Sequence, residues 1–177
     1  IEAALAVCKQ MLAFEPPQFG EGATFGGAVA SGLSGPRRAS SGAVRDFVLG
    51  AKLMDGKGQE LSFGGQVMKN VAGYDVSRLL AGSMGTLGLI LDISVKVLPL
   101  AMCEATLRFE VSEIDALRML NEWGGQPLPV SASCWHDGVL TVRLSGADAA
   151  VKAAVRDLGG ESVANAAAFW ASLRAPQ

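Results

Sequence analysis

The stretch Gly20-Glu21-Gly22-Ala23-Thr24-Phe25-Gly26-Gly27 decides how this chain is read. Its glycines invite a dinucleotide fingerprint, but that motif must follow a hydrophobic strand and open the crossover helix of a βαβ unit. Here a loop, Phe14-Glu15-Pro16-Pro17, precedes it, and the third glycine is displaced by one position. No glycine pair is closed by the GK[ST] of a P-loop. What remains is a short helix opened by Thr24, whose hydroxyl suits an N-cap. Gly26, Gly27, Ala28, Ala30, Ser31 and Gly32 give that helix a bare face. Such a face lets backbone come close to something over residues 24–35. The pattern leaves two readings open: a ligand held against backbone, or tight helix packing through small residues.

Outward from this stretch, Ile1–Ala13 has helical periodicity, with Ile1, Leu5, Cys8 and Leu12 on one face. A start without Met is expected of a fragment. Phe14–Gly22 and Gly35–Gly42 read as loops. Arg45–Met54 and Gln59–Phe63 flank Asp55-Gly56-Lys57-Gly58, a β-hairpin pattern. Asp75 is placed to cap a short helix, Val76–Ala81, ended by Gly82. Leu87–Leu98 alternates as one strand, with Leu89, Leu91, Ile93, Val95 and Val97 on one face and Asp92, Ser94 and Lys96 on the other. A linker is expected at Leu98–Met102. Beyond it the order is strand Ala105–Val111, a helix from a Ser112/Asp115 capping box through Trp123, and strands Val130–Trp135 and Val139–Leu144. Helix Ala147–Leu158, a short strand Glu161–Ala164 and a terminal helix Asn165–Arg174 complete it. This β-α-β-β-α-β order is ferredoxin-like, a fold that says nothing by itself about activity.

Composition excludes several classes. The longest apolar stretch, Thr86–Leu98, is interrupted by Asp92, Ser94 and Lys96, so no segment reads as a membrane span. A net charge of −2, with Arg37-Arg38 as the one adjacent basic pair, argues against a nucleic-acid partner. Cys8, Cys103 and Cys134 are far apart, and the chain has one histidine, so no metal centre is expected. The odd cysteine count suits a reducing compartment, and a cytoplasmic protein is expected.

Several further motifs recur in order. Pro16-Pro17 precedes Ala23-Thr24-Phe25-Gly26-Gly27, and Ser34-Gly35-Pro36-Arg37-Arg38 and Gly42–Gly50 follow. After the hairpin come Lys69-Asn70-Val71-Ala72-Gly73-Tyr74-Asp75 and Gly82-Ser83-Met84-Gly85-Thr86-Leu87-Gly88. Together they resemble the FAD-binding domain of vanillyl-alcohol-oxidase (VAO) flavoproteins, also called PCMH-type. Within that superfamily the chain looks most like the smaller FAD-binding subunits of bacterial glycolate oxidases, including Leu120–Trp123 and Trp135–Gly138.

The resemblance implies an α+β chain: residues 1–99 as the second subdomain of a PCMH/VAO-type FAD-binding domain, and 104–177 as a ferredoxin-like cap on the substrate side. It implies FAD as cofactor, with Thr24, Gly26, Gly27, Ser31, Ser34 and Gly35 along it and backbone near Val44 and Ile90 flanking its ends. A small 2-hydroxy acid is the implied substrate. The implied partners are a larger FAD-binding subunit and an iron–sulfur subunit, with peripheral attachment to the inner membrane through them. The alternative is a non-catalytic structural subunit that keeps the flavin fold to dock a catalytic homologue. A molybdenum-hydroxylase flavin subunit fits less well, because its motifs differ from Lys69–Asp75. The family's upstream pyrophosphate loop has no counterpart before Phe14, so residues 1–177 alone are expected to carry no FAD. Met84 stands where many relatives have Glu.

No catalytic residue is identified. His136 beside Asp137 is expected at a solvated hairpin tip. Lys69, Tyr74 and Asp75 read either as loop anchors, with Asp75 as helix cap, or as catalytic groups, and Trp123, Trp135 and Trp170 are expected to pack in the core. Arg37-Arg38 reads as a surface pair or as an anion contact.

Overall fold

The computed structural model describes residues 1–65 and 73–175. The chain forms two compact units: Ile1–Pro99 together with the segment from Leu173 onward, and Leu100–Ser172.

The first unit opens with α1 (Glu2–Val7), which stops at Cys8. Lys9 takes a left-handed φ of 55° and turns the chain into β1 (Gln10–Leu12). One helix over residues 1–13 is therefore not what forms. The apolar pair Met11-Leu12 fits either period, and tertiary pairing decides: Met11 lies opposite Leu98, and Leu12 opposite Val97. Leu12, Ala13 and Phe14 then run into a core with Val29, Val44, Phe47 and Val48.

Next come α2 (Phe25–Ser31), α3 (Arg38–Ser41) and a 3-10 turn at Val44–Asp46. That turn occupies the expected start of the hairpin strand, so β2 begins later, at Val48–Met54, and pairs with β3 (Glu60–Gly64). The Asp55 carboxylate accepts from the N–H of Lys57 (2.8 Å) and of Gln59 (2.9 Å), which closes the hairpin. Asp75 caps α4 (Val76–Leu79) by accepting from the N–H of Arg78. Residues 69–72, in the motif preceding Asp75, lie outside the described residues.

The third strand of this sheet, β4 (Leu89–Val95), pairs antiparallel with β2. Its strict alternation is broken. Register passes from Lys52↔Asp92 to Leu53↔Ile90, so Leu91 is an extra residue that bulges. The bulge turns Ile90 toward Ala51, Leu53 and Leu80 and leaves Leu89 63% exposed. Only Ile93 and Val95 of the expected apolar face pack on the main core from β4. The strand then breaks at Lys96, whose N–H bonds to the carbonyl of Phe47, and β5 (Val97–Pro99) leaves to pair with β1.

The second unit contains β6 (Cys103–Glu110), α5 (Glu113–Gly124), β7 (Val130–His136), β8 (Val139–Gly146), α6 (Asp148–Leu158), β9 (Glu161–Ser162) and α7 (Ala167–Ser172). Its antiparallel sheet has the order β7-β8-β6-β9, the ferredoxin-like arrangement. Ser112 accepts from the Asp115 N–H at 3.2 Å and donates to its carboxylate at 2.7 Å, opening α5. Leu140, Val142 and Leu144 of β8 face the helices with Leu107, Ala116, Val151 and Ala154.

The opposite face of this sheet is also covered. Thr106, Ser131, Thr141 and Arg143 are buried there although polar. Trp170 of α7 donates its indole N–H to the Thr106 hydroxyl (3.0 Å), and the Arg143 guanidinium stacks 4.9 Å from its ring centre. Arg143 also donates to the Ser131 hydroxyl at 3.1 Å. Trp123 packs against Phe109. Trp135 differs from expectation: it stays 38% exposed, with its indole N–H on the Val111 carbonyl.

Replacing the fully buried Leu140 by Ala should cost about 2–5 kcal/mol of stability. Ile114→Ala, at a 71% exposed site in the same unit, should cost under about 0.5 kcal/mol. Urea unfolding of the two variants checks the placement of this core.

Candidate functional site

The site grows from the start of α2. Thr24 is extended (φ −112°, ψ 155°), and its hydroxyl accepts from the N–H of Gly27 at 3.0 Å. Its carbonyl accepts from the N–H of Ala28. Helix geometry leaves the N–H groups of Phe25 and Gly26 without an intrahelical acceptor, directed off the helix end. Val29 anchors the other side of the helix in the core.

The two glycines differ from what tight helix packing requires. A Cβ built on Gly26 would meet nothing within 4 Å, and one on Gly27 would meet just the Thr24 hydroxyl, at 3.1 Å. Among the described residues, no neighbour needs glycine at 26. At Gly26 and Gly27 the bare face is turned toward open space, whereas at its end Gly32 packs against the Gly82 backbone. A hollow of about 400 Å³ runs along it, lined by Pro17, Phe19, Thr24, Gly27, Ala28 and Ser31. A second, of about 510 Å³, reaches from Thr24 and Phe25 past Pro16 to Glu21 and Arg174.

Thr24, Gly27 and Ser31 thus share one surface, and Gly26 stands at its head. The Ser31 hydroxyl is turned back to the Ala28 carbonyl at 3.0 Å. Ser34, Gly35 and Val44 have internal roles. Ser34 is 3% exposed, and its hydroxyl accepts from the N–H of the buried Val44 (2.9 Å) while donating to the Gly32 carbonyl. Gly35 (φ 70°) lies so close to the Glu15 carbonyl that a Cβ would sit 1.8 Å from its oxygen. Ile90 is part of the small cluster under β2.

Three neighbours of this surface were not legible as such. Arg37 is buried, not a surface residue, and its Nε lies 3.7 Å from the Glu15 carboxylate. Arg174 reaches the first unit from the far end of the chain: its carbonyl accepts from the Gln18 N–H, and its guanidinium pairs with Glu2 at 2.6 Å. Met84 (φ 52°) donates its N–H to the Ala30 carbonyl, fastening the 82–86 loop across the end of α2. Contacts of such sequence separation leave no local pattern.

A hollow of about 640 Å³ in the second unit is larger, and its lining includes Glu110, His136, Asp137 and Glu161. His136 and Asp137 are 3.3 Å apart there, at an exposed hairpin tip. Burial pushes the Cys134 thiol above its ordinary value, which disfavours the thiolate a nucleophile needs. Among the described residues, no group of His, Cys, Asp and Glu could hold a metal. No helix among them is long and apolar enough to cross a membrane.

Residues 1–78 match the FAD binding domain family. The whole chain is 54% identical to glycolate oxidase subunit GlcE of Escherichia coli, of which it covers 50%. It is 38% identical over 93 residues to glycolate oxidase subunit GlcD of Bacillus subtilis, covering 52% of this chain and 20% of that protein. Against a D-lactate dehydrogenase of Archaeoglobus fulgidus, identity is 31% over 71% of this chain and 29% of that one. The chain therefore spans half or less of the length of these relatives. In structure, it superposes on an alkyldihydroxyacetonephosphate synthase with a TM-score of 0.72 at 17% identity, over 98% of this chain and 40% of that one. The fold is therefore the mixed α+β arrangement shared with that synthase, and it includes a ferredoxin-like unit over Leu100–Ser172.

Gly35→Ala combines a left-handed φ with a clash against backbone, so it should destabilise the first unit by at least about 2 kcal/mol. Thermal unfolding of that variant beside wild type provides the check.

Proposed function

Homologous along its whole length to a glycolate oxidase subunit, this chain is, we propose, the later part of an FAD site in a 2-hydroxy-acid oxidase or dehydrogenase. The observation that carries the reading is Gly26, a helical glycine with open space where its Cβ would stand. Glycine inside a helix costs about 0.5–1 kcal/mol relative to alanine. Here no packing among the described residues compensates that cost, whereas close approach of a bulky ligand would.

In this proposal Thr24, Gly26, Gly27 and Ser31 form the surface along the cofactor. Thr24 fixes the helix start, and the amides of Phe25 and Gly26 would offer hydrogen-bond donors to a negatively charged group there. Ser34 and Gly35 hold the loop that follows, Val44 sets the start of β2, and Ile90 holds the adjoining strand. Bound there, FAD would supply the redox chemistry, hydride acceptance from a small 2-hydroxy acid such as glycolate. A larger FAD-binding subunit and an iron–sulfur subunit are the proposed partners in passing electrons onward. The second unit is proposed as the cap on the substrate side. The setting is the cytoplasm, with any contact to the inner membrane made through those partners.

A non-catalytic scaffold is the second reading. What favours it is that no histidine is among the described residues lining the hollows beside α2, whose charged groups are Glu2, Glu21 and Arg174. Flavin content and its bleaching by glycolate, measured on the natural full-length protein with and without partner subunits, separate the two. Bound flavin that glycolate reduces supports the oxidase reading, and absence of flavin in every preparation supports the scaffold.

Two outcomes are expected of the FAD surface. At natural full length, Gly26→Ala should leave the cofactor-free protein as stable as wild type or more so by about 0.5–1 kcal/mol, yet weaken FAD binding. Gly27→Val should abolish flavin retention while the second unit stays folded. Flavin fluorescence titration and thermal unfolding of the same samples check both, and normal flavin content in Gly27→Val would sink this placement of the cofactor.

A further inference from the structure

We propose that Glu15 and Arg37 are positioning residues of the α2 groove: their largely buried ion pair sets where the Pro16-Pro17 wall stands relative to α2. The inference rests on the cofactor reading above. Residue 15 meets the segment 34–37 in three ways. Its N–H donates to the Ser34 carbonyl at 3.0 Å, and its carbonyl lies against Gly35, where a Cβ would come within 1.8 Å. Its carboxylate lies 3.7 Å from Arg37 Nε, with the two side chains 15% and 8% exposed.

The next residues after Glu15, Pro16 and Pro17, line the hollows beside α2. Proline fixes φ and donates no hydrogen bond, so this wall cannot anchor itself by its own amides. It is held from both ends, by Glu15 before it and by the Gln18 N–H on the Arg174 carbonyl after it, and Glu15 is the end that faces α3. Arg37 in turn precedes α3, so the pair ties the loop before α2 to the loop after it.

Stability alone does not account for such a pair. Desolvating two charges largely cancels their attraction, and replacing both by apolar or neutral groups of similar size is often neutral for folding. A pair of this kind selects one arrangement of the segments that carry it. In the first unit the apolar core of Phe14, Val29, Val44 and Phe47 supplies the packing. What the ion pair adds is the spacing between a wall and a helix on either side of the proposed ligand surface.

The test uses the protein at natural full length, with FAD titrated by flavin fluorescence and the cofactor-free form unfolded in urea. The double variant Glu15→Gln/Arg37→Met should keep the cofactor-free urea midpoint of wild type and bind FAD about tenfold more weakly. Arg37→Lys, which keeps the charge, should recover most of the affinity. The inference is overturned if the double variant binds FAD as wild type does. It is equally overturned if affinity and cofactor-free midpoint fall together, or if Arg37→Lys binds no better than the double variant. A wild-type protein that binds no FAD removes the cofactor reading and this inference together, whereas a wild type that binds FAD beside an equally competent double variant removes the inference alone.

Discussion

The first unit is arranged around one side chain, Phe14. Its ring lies 6.1 Å from those of Phe25 and Phe47, stacked at 27° to each. Those three residues belong to the loop before α2, the first turn of α2 and the turn before β2. Full burial of a phenylalanine contributes about 1.5–3 kcal/mol, and each well-placed ring pair about 0.5–1.5 kcal/mol more. The sum is modest, but it falls where three irregular segments converge. With little regular structure nearby to fix them, these segments take their positions from the rings. Ser34 and the Glu15–Gly35 contact then set finer spacing around that point.

The elements best read from sequence were those with local chemical cause. Thr24, Asp75 and Ser112 cap the helices they were expected to cap, because a side-chain oxygen three residues from an orphan amide is a local matter. The ferredoxin-like order followed from alternating periods and glycine stops. Failures came where distant partners decide. The β1 segment is a strand because Val97–Pro99 lies beside it, and Leu91 bulges because Leu53 needs Ile90 opposite. No window along the chain contains both halves of either contact.

The candidate site shows the same division. The bare face of α2 is legible in sequence as an alternative between packing and ligand, and in the structure Gly26 meets open space while Gly32 packs on Gly82. Arg37 was taken for a surface group or an anion contact. It is buried because Glu15, twenty-two positions away by their numbers, reaches it. Ser34, expected along the cofactor, has its hydroxyl engaged inside the fold. The same sequence motif thus combines residues that face outward with residues that hold the motif in shape.

The return of the chain at Leu173 gives the second unit the topology of an insertion. The chain leaves the first unit after Pro99 and rejoins it after Ser172. Arg174 closes the circuit on Glu2 and Gln18, beside the Pro16-Pro17 wall. Excising the module at both junctions and bridging them would preserve that closure, whereas cutting the gene once after Pro99 would remove it. For shuffling modules among relatives, the natural unit of exchange is residues 100–172, spliced at two points.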